Sequence, residues 1–211
     1  MAFIPGSFTP KGSAMFTASQ NWQVPAGIHK IKMLIVSGGG GGGGGYSTTY
    51  TGGGGGSGAV AYAEALVVPG WVLSIIVGAG GAGGSGGASP TSGGFGGLSA
   101  VEDPDGNYMI AAEGGVGGGA ATGSANGANG GGGTLWVNLA EEIISSFGLD
   151  GNNGLYTAPS PAPILPLGAV ASTSGIQTLK YASVGAGGAG GAVNSNGSPG
   201  TAGMVIIWWG D

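Results

Sequence analysis

The stretch "VGAGGAGGSGGA" (77–88), directly after the apolar run "WVLSII" (71–76), decides how this chain folds. Three readings compete for it: a phosphate-binding turn, a flexible linker, or a packed structural element. Gly78-x-Gly80-x-x-Gly83 has the spacing of a dinucleotide-binding turn. That turn works only if a helix begins inside the motif, so that its N-terminus faces the pyrophosphate. Gly83 is succeeded by "GSGGASPTSGGFGG" (84–97). Glycine costs about 1 kcal/mol at each helical position and proline about 3 kcal/mol, so no helix starts there. Glu102 and Asp103 lie about 20 residues on, where a ribose ligand would stand. In a chain with nine acidic residues that coincidence means little. The second copy, "VGAGGAGGAV" (184–193), runs into another glycine-rich loop, and no P-loop spacing with lysine is present.

Within 77–88, glycine pairs alternate with the single residues Ala79, Ala82, Ser85 and Ala88. The period is three, that of an extended left-handed helix with three residues per turn. Such a helix makes no internal hydrogen bonds, so in a packed interior its N–H and C=O groups must pair with neighbouring chains. Glycine faces allow that close approach, as they do at the collagen axis. At ~3.1 Å per residue a nine-residue tract spans about 28 Å. Similar tracts occur at 38–45, 52–58, 93–97, 114–119, 130–133 and 185–191. The expectation is a polyglycine-II helix bundle, with the period-three residues outward or at a seam.

Composition favours order over a linker. Glycine contributes 55 of 211 residues, yet 41% of the chain is hydrophobic and only 6% is charged. Disordered segments combine low hydrophobicity with high charge. The net charge of -5, with four lysines and no arginine, opposes nucleic-acid binding, which needs cations to neutralise phosphates. The chain has no cysteine, so disulfides do not staple the fold. "MAFIPGSFTPKGS" (1–13) lacks the basic and apolar regions of a secretory signal. No apolar run reaches the roughly 18 residues of a membrane span, so membrane insertion is not expected.

The tracts are separated by strand-like segments. Residues 1–28, with Pro5, Pro10 and Pro25, read as an extended N-terminal attachment segment, and 29–211 as a single glycine-rich domain. "KIKMLIV" (30–36) alternates as a strand does. "AVAYAEALVV" (59–68) and "WVLSIIVG" (71–78) flank Pro69-Gly70 and read as a hairpin. "LSAVED" (98–103) and "YMIAAEGG" (108–115) flank the turn "PDGN" (104–107), a second hairpin. "MVIIWW" (204–209) closes the chain as a strand, expected in one sheet with 30–36. Ile75 and Ile206 read as core residues. In "LWVNLAEEIISSFG" (135–148), Leu135, Leu139 and Ile143 lie four apart, and the segment reads equally as a short helix or as none. The fold class is all-β: a sheet or sandwich of about six strands, with the glycine tracts as extensions of those strands.

Little of this chain carries chemistry. His29 is the only histidine, at a strand entry beside lysines, and the serines have no other basic partner. Glu64, Glu113, Glu141 and Glu142 read as solvent-facing acids rather than a glycosidase pair. Asp103, Asp105 and Asn107 offer oxygens suited to calcium, but turn formation already accounts for them. No enzymatic activity, cofactor or metal is expected. The aromatics are more informative. Tyr46 and Tyr50, in the island "YSTTY" (46–50), Phe95 among glycines, and Tyr156 before a proline-rich loop are the candidate receptor-binding residues. Tyrosine among serine, threonine and asparagine has the composition of adaptable binding loops. The alternative is that these rings cap the glycine bundle against water.

"FTASQNWQVPAGIHKIKMLIVSGGGGGGGG" (16–45), "PGWVLSIIVGAGGAGG" (69–84) and "GTAGMVIIWW" (200–209) resemble the glycine-rich domains of bacteriophage tail-fibre and tail-tip proteins. They are also similar to the adhesins that cap the long tail fibres of T-even-type phages. The resemblance implies a polyglycine-helix sandwich whose loops, here 46–51, 88–92, 120–129 and 192–199, bind the host surface. The chain departs from those adhesins in lacking a substantial attachment domain and in having more conventional strands. The implied role is a virion structural protein, most simply a tail-fibre or tail-tip adhesin, with a head or capsid surface protein as the alternative. Its partners would be a host cell-surface receptor, protein or glycan, other virion proteins, and further copies of the chain, as in a trimer. Ice binding by such a bundle is disfavoured, because the outward residues are mostly alanine rather than a regular hydroxyl array.

Overall fold

A computed structural model of the protein describes residues 10–136, 143–149 and 184–210. The described residues form two five-stranded antiparallel sheets. The first has the order β1 (Pro10–Phe16), β10 (Met204–Gly210), β3 (Lys30–Val36), β4 (Val60–Leu66), β9 (Ile143–Leu149). The second has the order β2 (Gln20–Gln23), β5 (Val72–Ile76), β6 (Ser99–Glu102), β7 (Tyr108–Ala112), β8 (Leu135–Trp136). Among the described residues there are ten strands and no helix, so the all-β expectation holds with more strands than the sequence suggested.

Alternation along the strands builds a single core between the sheets. Ile31, Met33 and Ile35 of β3, Ala61, Ala63 and Ala65 of β4, and Val205 and Ile207 of β10 pack with Leu73, Ile75, Val101 and Ile110 of the second sheet. A strand puts successive side chains on opposite faces, so the residues between them point outward. Leu34, Val60 and Met204 form a second apolar cluster on the outer face of the first sheet, with Ile206 and Trp208 packed against it. Ile75 is a core residue as expected; Ile206 is not, because the register of β10 gives the inner position to Ile207. β3 and β10 are paired along their whole length, from Met204 opposite Val36 to Gly210 opposite Lys30, as the two apolar runs suggested.

One other sequence expectation changes. Pro69-Gly70 does not close a hairpin. Both edges of β4 are taken, by β3 and β9, so the chain crosses to the other sheet, where β5 pairs with β2 and β6. Gly70 makes the corner at φ +89°, its N–H bonded to the Val24 carbonyl (2.9 Å). The stretch 135–148 contains no helix among its described residues: Leu135 and Trp136 are in β8, and β9 starts at Ile143. Tertiary pairing along β4 and β7 overrides the weak four-residue periodicity. The stretch 10–23 supplies an edge strand to each sheet, β1 beside β10 and β2 beside β5. The "PDGN" hairpin forms as expected between β6 and β7.

The glycine tracts leave the sheets as continuations of the strands. β3 runs into 38–45, and 52–58 returns into β4. β5 runs into 78–87, and 91–97 returns into β6. β7 runs into 113–121, and 127–134 returns into β8. A fourth pair, 185–191 and 195–203, returns into β10. Every N–H and every C=O of 38–45 is bonded to another tract. The partners change with a period of three. Gly38, Gly41 and Gly44 donate to 91–97; Gly39, Gly42 and Gly45 donate to 195–201; Gly40 and Gly43 donate to 53–56. Their carbonyls accept from 81–87, 115–121 and 188–191 in the same rotation. The central tract thus has six neighbours, and these bond to one another in a closed ring of 52–58, 113–121, 91–97, 78–87, 195–203 and 185–191. The remaining tract, 127–134, packs outside the ring, bonded to 52–58 and 113–121.

Side chains obey the same period. In 78–87, Ala79, Ala82 and Ser85 are exposed while Gly78, Gly81 and Gly84 are buried. Two positions decide why the buried residues are glycine: a Cβ on Gly42 would fall on the Ala189 carbonyl, and one on Gly41 would fall on the Ala82 carbonyl. Where strand gives way to tract, Ser37 and Ser99 are fully buried. The Ser99 hydroxyl donates to the Val36 carbonyl (3.0 Å) and accepts from the Gly78 N–H (2.9 Å). The Ser37 hydroxyl donates to the Ala59 and Glu113 carbonyls. The Ser99 hydroxyl thus gives the Gly78 N–H a partner where one hydrogen-bond pattern replaces the other, and the Ser37 hydroxyl adds to carbonyls that already accept from the Ser37 and Ala59 N–H groups.

Candidate functional site

Because each tract pair leaves the sandwich and returns to it, four turns meet at the far end of the bundle: 46–51, 88–90, 122–126 and 192–196. A backbone bond ties the first of them to the last. The Tyr46 N–H donates to the Tyr50 carbonyl (2.9 Å), and the Asn194 N–H donates to the Tyr46 carbonyl (2.9 Å). Asn194 has φ +59°, the one non-glycine residue with positive φ among those described. Asparagine tolerates this left-handed conformation better than most residues. The Ser195 N–H closes the turn onto the Ala192 carbonyl (2.9 Å).

Polar side chains finish the tract ends. Asn126 Oδ1 accepts from the Thr51 N–H (2.9 Å), Asn196 Oδ1 from the Gly86 N–H (2.8 Å), and Thr91 Oγ1 from the Ser85 N–H (2.8 Å). Each of these residues stands at the start of a returning tract. In the sequence the two asparagines precede glycine, as Asn126-Gly127 and Asn196-Gly197. That shared pair is the signal that sequence reasoning passed over. The returning tract 195–203 was also missed. Its glycines, Gly197, Gly200 and Gly203, recur every third residue without forming a run, so most of the stretch 192–199 is tract rather than loop.

Of the aromatic candidates, Tyr46 and Tyr50 are at the tip and half-buried. The Tyr46 ring lies over Gly123 of the neighbouring turn, where an added Cβ would meet its Cζ and Oη at 3.5 Å. Thr48 and Thr49 between the tyrosines are exposed. Phe95 is 71% exposed but stands on the flank of the bundle, at an outward position of tract 91–97, away from the turns. Tyr156 lies outside the described residues, as do Glu141 and Glu142.

The described charged groups sit at the opposite end. No residue of 37–58, 77–99, 114–134 or 184–203 is Asp, Glu, Lys, Arg or His. On the outer face of the first sheet, Lys32 Nζ is 2.9 Å from Glu64 Oε1, which also accepts from the Tyr62 hydroxyl (3.2 Å). Burial alone would raise the Glu64 carboxyl; hydrogen bonding and charge from Lys32 overcome it and hold the group below the usual carboxylate range. Hydrogen bonding from Glu64 raises the Lys32 ammonium, and burial raises the Tyr62 phenol. This is an ion pair between neighbouring strands, β3 and β4.

Asp103 closes the 104–107 turn. Its Oδ1 accepts from the Asp105 (2.9 Å) and Asn107 (2.8 Å) N–H groups, and its Oδ2 from Asn107 Nδ2 (3.2 Å). The carboxylate is thus engaged by its own turn. Among the described residues no group of three or more His, Cys, Asp or Glu is placed to hold a metal, and no helix is long and apolar enough to cross a membrane. Slight burial would raise the Asp103 pKa, but the Asn107 and Asp105 donors outweigh it and lower it. A lowered folded-state pKa contributes stability above the unfolded carboxylate pKa, and this is lost as pH falls through the folded value. Asp103→Ala is therefore expected to cost about 1 kcal/mol at neutral pH, given a solvent-exposed group. In urea melts the difference from the parent protein should shrink towards that of an ordinary turn substitution once the carboxyl is protonated. An unchanged difference at acid pH would contradict this.

A comparison with curated proteins finds no match for the chain. A family model described as a glycine-rich domain matches residues 15–210, a span that takes in β2 to β10, the end of β1 and all eight tracts. On that match, the chain belongs to the glycine-rich domain family.

Proposed function

We propose that the protein is a structural component of a bacteriophage virion, a tail-fibre or tail-tip adhesin that binds the host cell surface through the turns at the end of its bundle. On this reading the tracts are polyglycine-II helices, and the sandwich is the mounting that holds them. The observation that carries the proposal is the meeting of four turns, 46–51, 88–90, 122–126 and 192–196, at one end of a hydrogen-bonded array. A loop fixed at both ends by such an array has lost most of its freedom before it meets a ligand, so less entropy is lost on binding. Tyrosine, threonine, serine and asparagine supply contact area and adaptable hydrogen bonds there. Nothing in the tip requires a reacting group.

The test uses labelled protein and a panel of bacterial strains. Saturable binding to the cells of a subset of strains is expected. The doubly substituted Thr48→Lys/Thr49→Lys protein should melt as the parent does and lose at least tenfold in cell binding, because both side chains are exposed at the tip. Binding to no strain, or binding indifferent to these substitutions, would overturn the reading. Tyr46 is a poorer probe, since its ring is shared between two turns.

A further inference from the structure

The tip contains two oriented hydrogen-bond donors that the fold does not use. A carboxamide has one acceptor oxygen and an NH₂ with two donors. In Asn126 the oxygen is held by the Thr51 N–H, and in Asn196 by the Gly86 N–H. Those bonds fix the plane of each amide. Both residues are exposed, and neither NH₂ group has a partner among the described residues. The asparagines come from different turns. Asn126 is tied to Thr51, the residue before the tract 52–58, and Asn196 to Gly86 of 78–87; these two tracts stand on opposite sides of the central tract in the ring of six. Around them are the hydroxyls of Thr48, Thr49 and Ser124.

The surroundings exclude most other ligand chemistries. Among the described residues the tip carries no cation to meet a phosphate, sulfate or carboxylate, and the whole chain is at -5. Nor do the described residues of the tip include an acid to meet a cationic peptide. Among the described residues Val193 is its one exposed large apolar residue, so the apolar anchor typical of protein–protein hot spots is nearly absent there. The remaining chemistry is neutral hydrogen bonding beside two tyrosine rings, a surface complementary to a neutral ligand dense in hydroxyl and carbonyl acceptors.

We propose that the tip binds a neutral saccharide of the bacterial surface, with the NH₂ groups of Asn126 and Asn196 as its fixed donors. This rests on the tip being the binding end of the protein. The test separates the two asparagine roles. Asn126→Asp/Asn196→Asp keeps an oxygen to accept from the Thr51 and Gly86 N–H groups and removes both donors. It is expected to melt within a few degrees of the parent and to lose at least tenfold in binding to immobilised neutral surface polysaccharides from a strain that the protein binds. Asn126→Ala/Asn196→Ala loses both roles and should melt earlier as well. Unchanged polysaccharide binding by the aspartate variant would overturn the donor assignment. Periodate treatment of the cells, which cleaves sugar diols, should abolish binding, whereas surface proteolysis should not. The opposite pattern, with Thr48→Lys/Thr49→Lys still losing cell binding, would overturn the saccharide class and leave the tip reading standing. If the threonine variants bind cells normally, the tip reading itself fails.

Discussion

Gly42→Ala, the addition of one methyl group, is expected to cost more than about 4–5 kcal/mol, beyond the range of ordinary point substitutions. Gly42 is buried in the central tract, its N–H bonded to the Ser198 carbonyl (2.8 Å) and its C=O to the Gly84 N–H (2.8 Å). The methyl would fall on the Ala189 carbonyl. The atoms it meets are backbone, so no rotamer change relieves the overlap, and the tract 185–191 must move away. Moving it breaks the bonds it makes to the central tract and to 52–58. Total stability of a domain is about 5–15 kcal/mol, so this substitution removes a large share of it. The matching control is Ala82→Gly, at an exposed position of a peripheral tract. It should change stability by no more than about 1 kcal/mol. Thermal unfolding of the two variants checks both, and similar small effects would mean that the tracts are not packed against one another.

Deleting residues 203–211 is expected to abolish cooperative unfolding altogether. β10 is not a tail. It lies between β1 and β3, and its loss strips β3 of one ladder and leaves β1 with no partner. Val205 and Ile207 leave the core with it. Core truncations of single aliphatic side chains cost about 2–5 kcal/mol each, so two lost together with two strand ladders exceed what a domain of this size holds. Ile207→Ala should fall within that range, and Ile206→Ala below it, since Ile206 is only half-buried on the outer face. A truncated protein with an unchanged melting profile would contradict the sheet order.

Much of this architecture was legible from periodicity. Alternation in 30–36 and the branched, aromatic character of 204–209 marked these two strands, and the Ala79-Ala82-Ser85 spacing marked a threefold tract with those residues outward or at a seam, of which the structure has the first. Matters of partnership stayed hidden. Pro69-Gly70 carries a hairpin signature, but whether the chain turns back or crosses layers depends on both edges of β4 being occupied. In 135–148 a four-residue spacing of apolar residues was too weak to outweigh strand pairing. The tract 195–203 was hidden because serine, proline, threonine and alanine fill the positions between its glycines, so no glycine run marks it. At the tip, the aromatics drew notice by type, whereas Asn126 and Asn196 act through carboxamide oxygens bonded to backbone far away in sequence.

The central claim is that the glycine tracts are an ordered array bonded from tract to tract with a period of three. Residue-resolved hydrogen exchange along 78–87 tests it most directly. The N–H groups of Gly81, Gly84 and Gly87 donate to the central tract. Those of Ala79, Gly80, Ala82 and Gly83 have no partner among the described residues. The predicted result is slow exchange at Gly81 and Gly84, approaching that of core strands, with fast exchange at the two residues between them. Fast exchange throughout, as in an unstructured glycine linker, or protection without the three-residue alternation, would contradict the account.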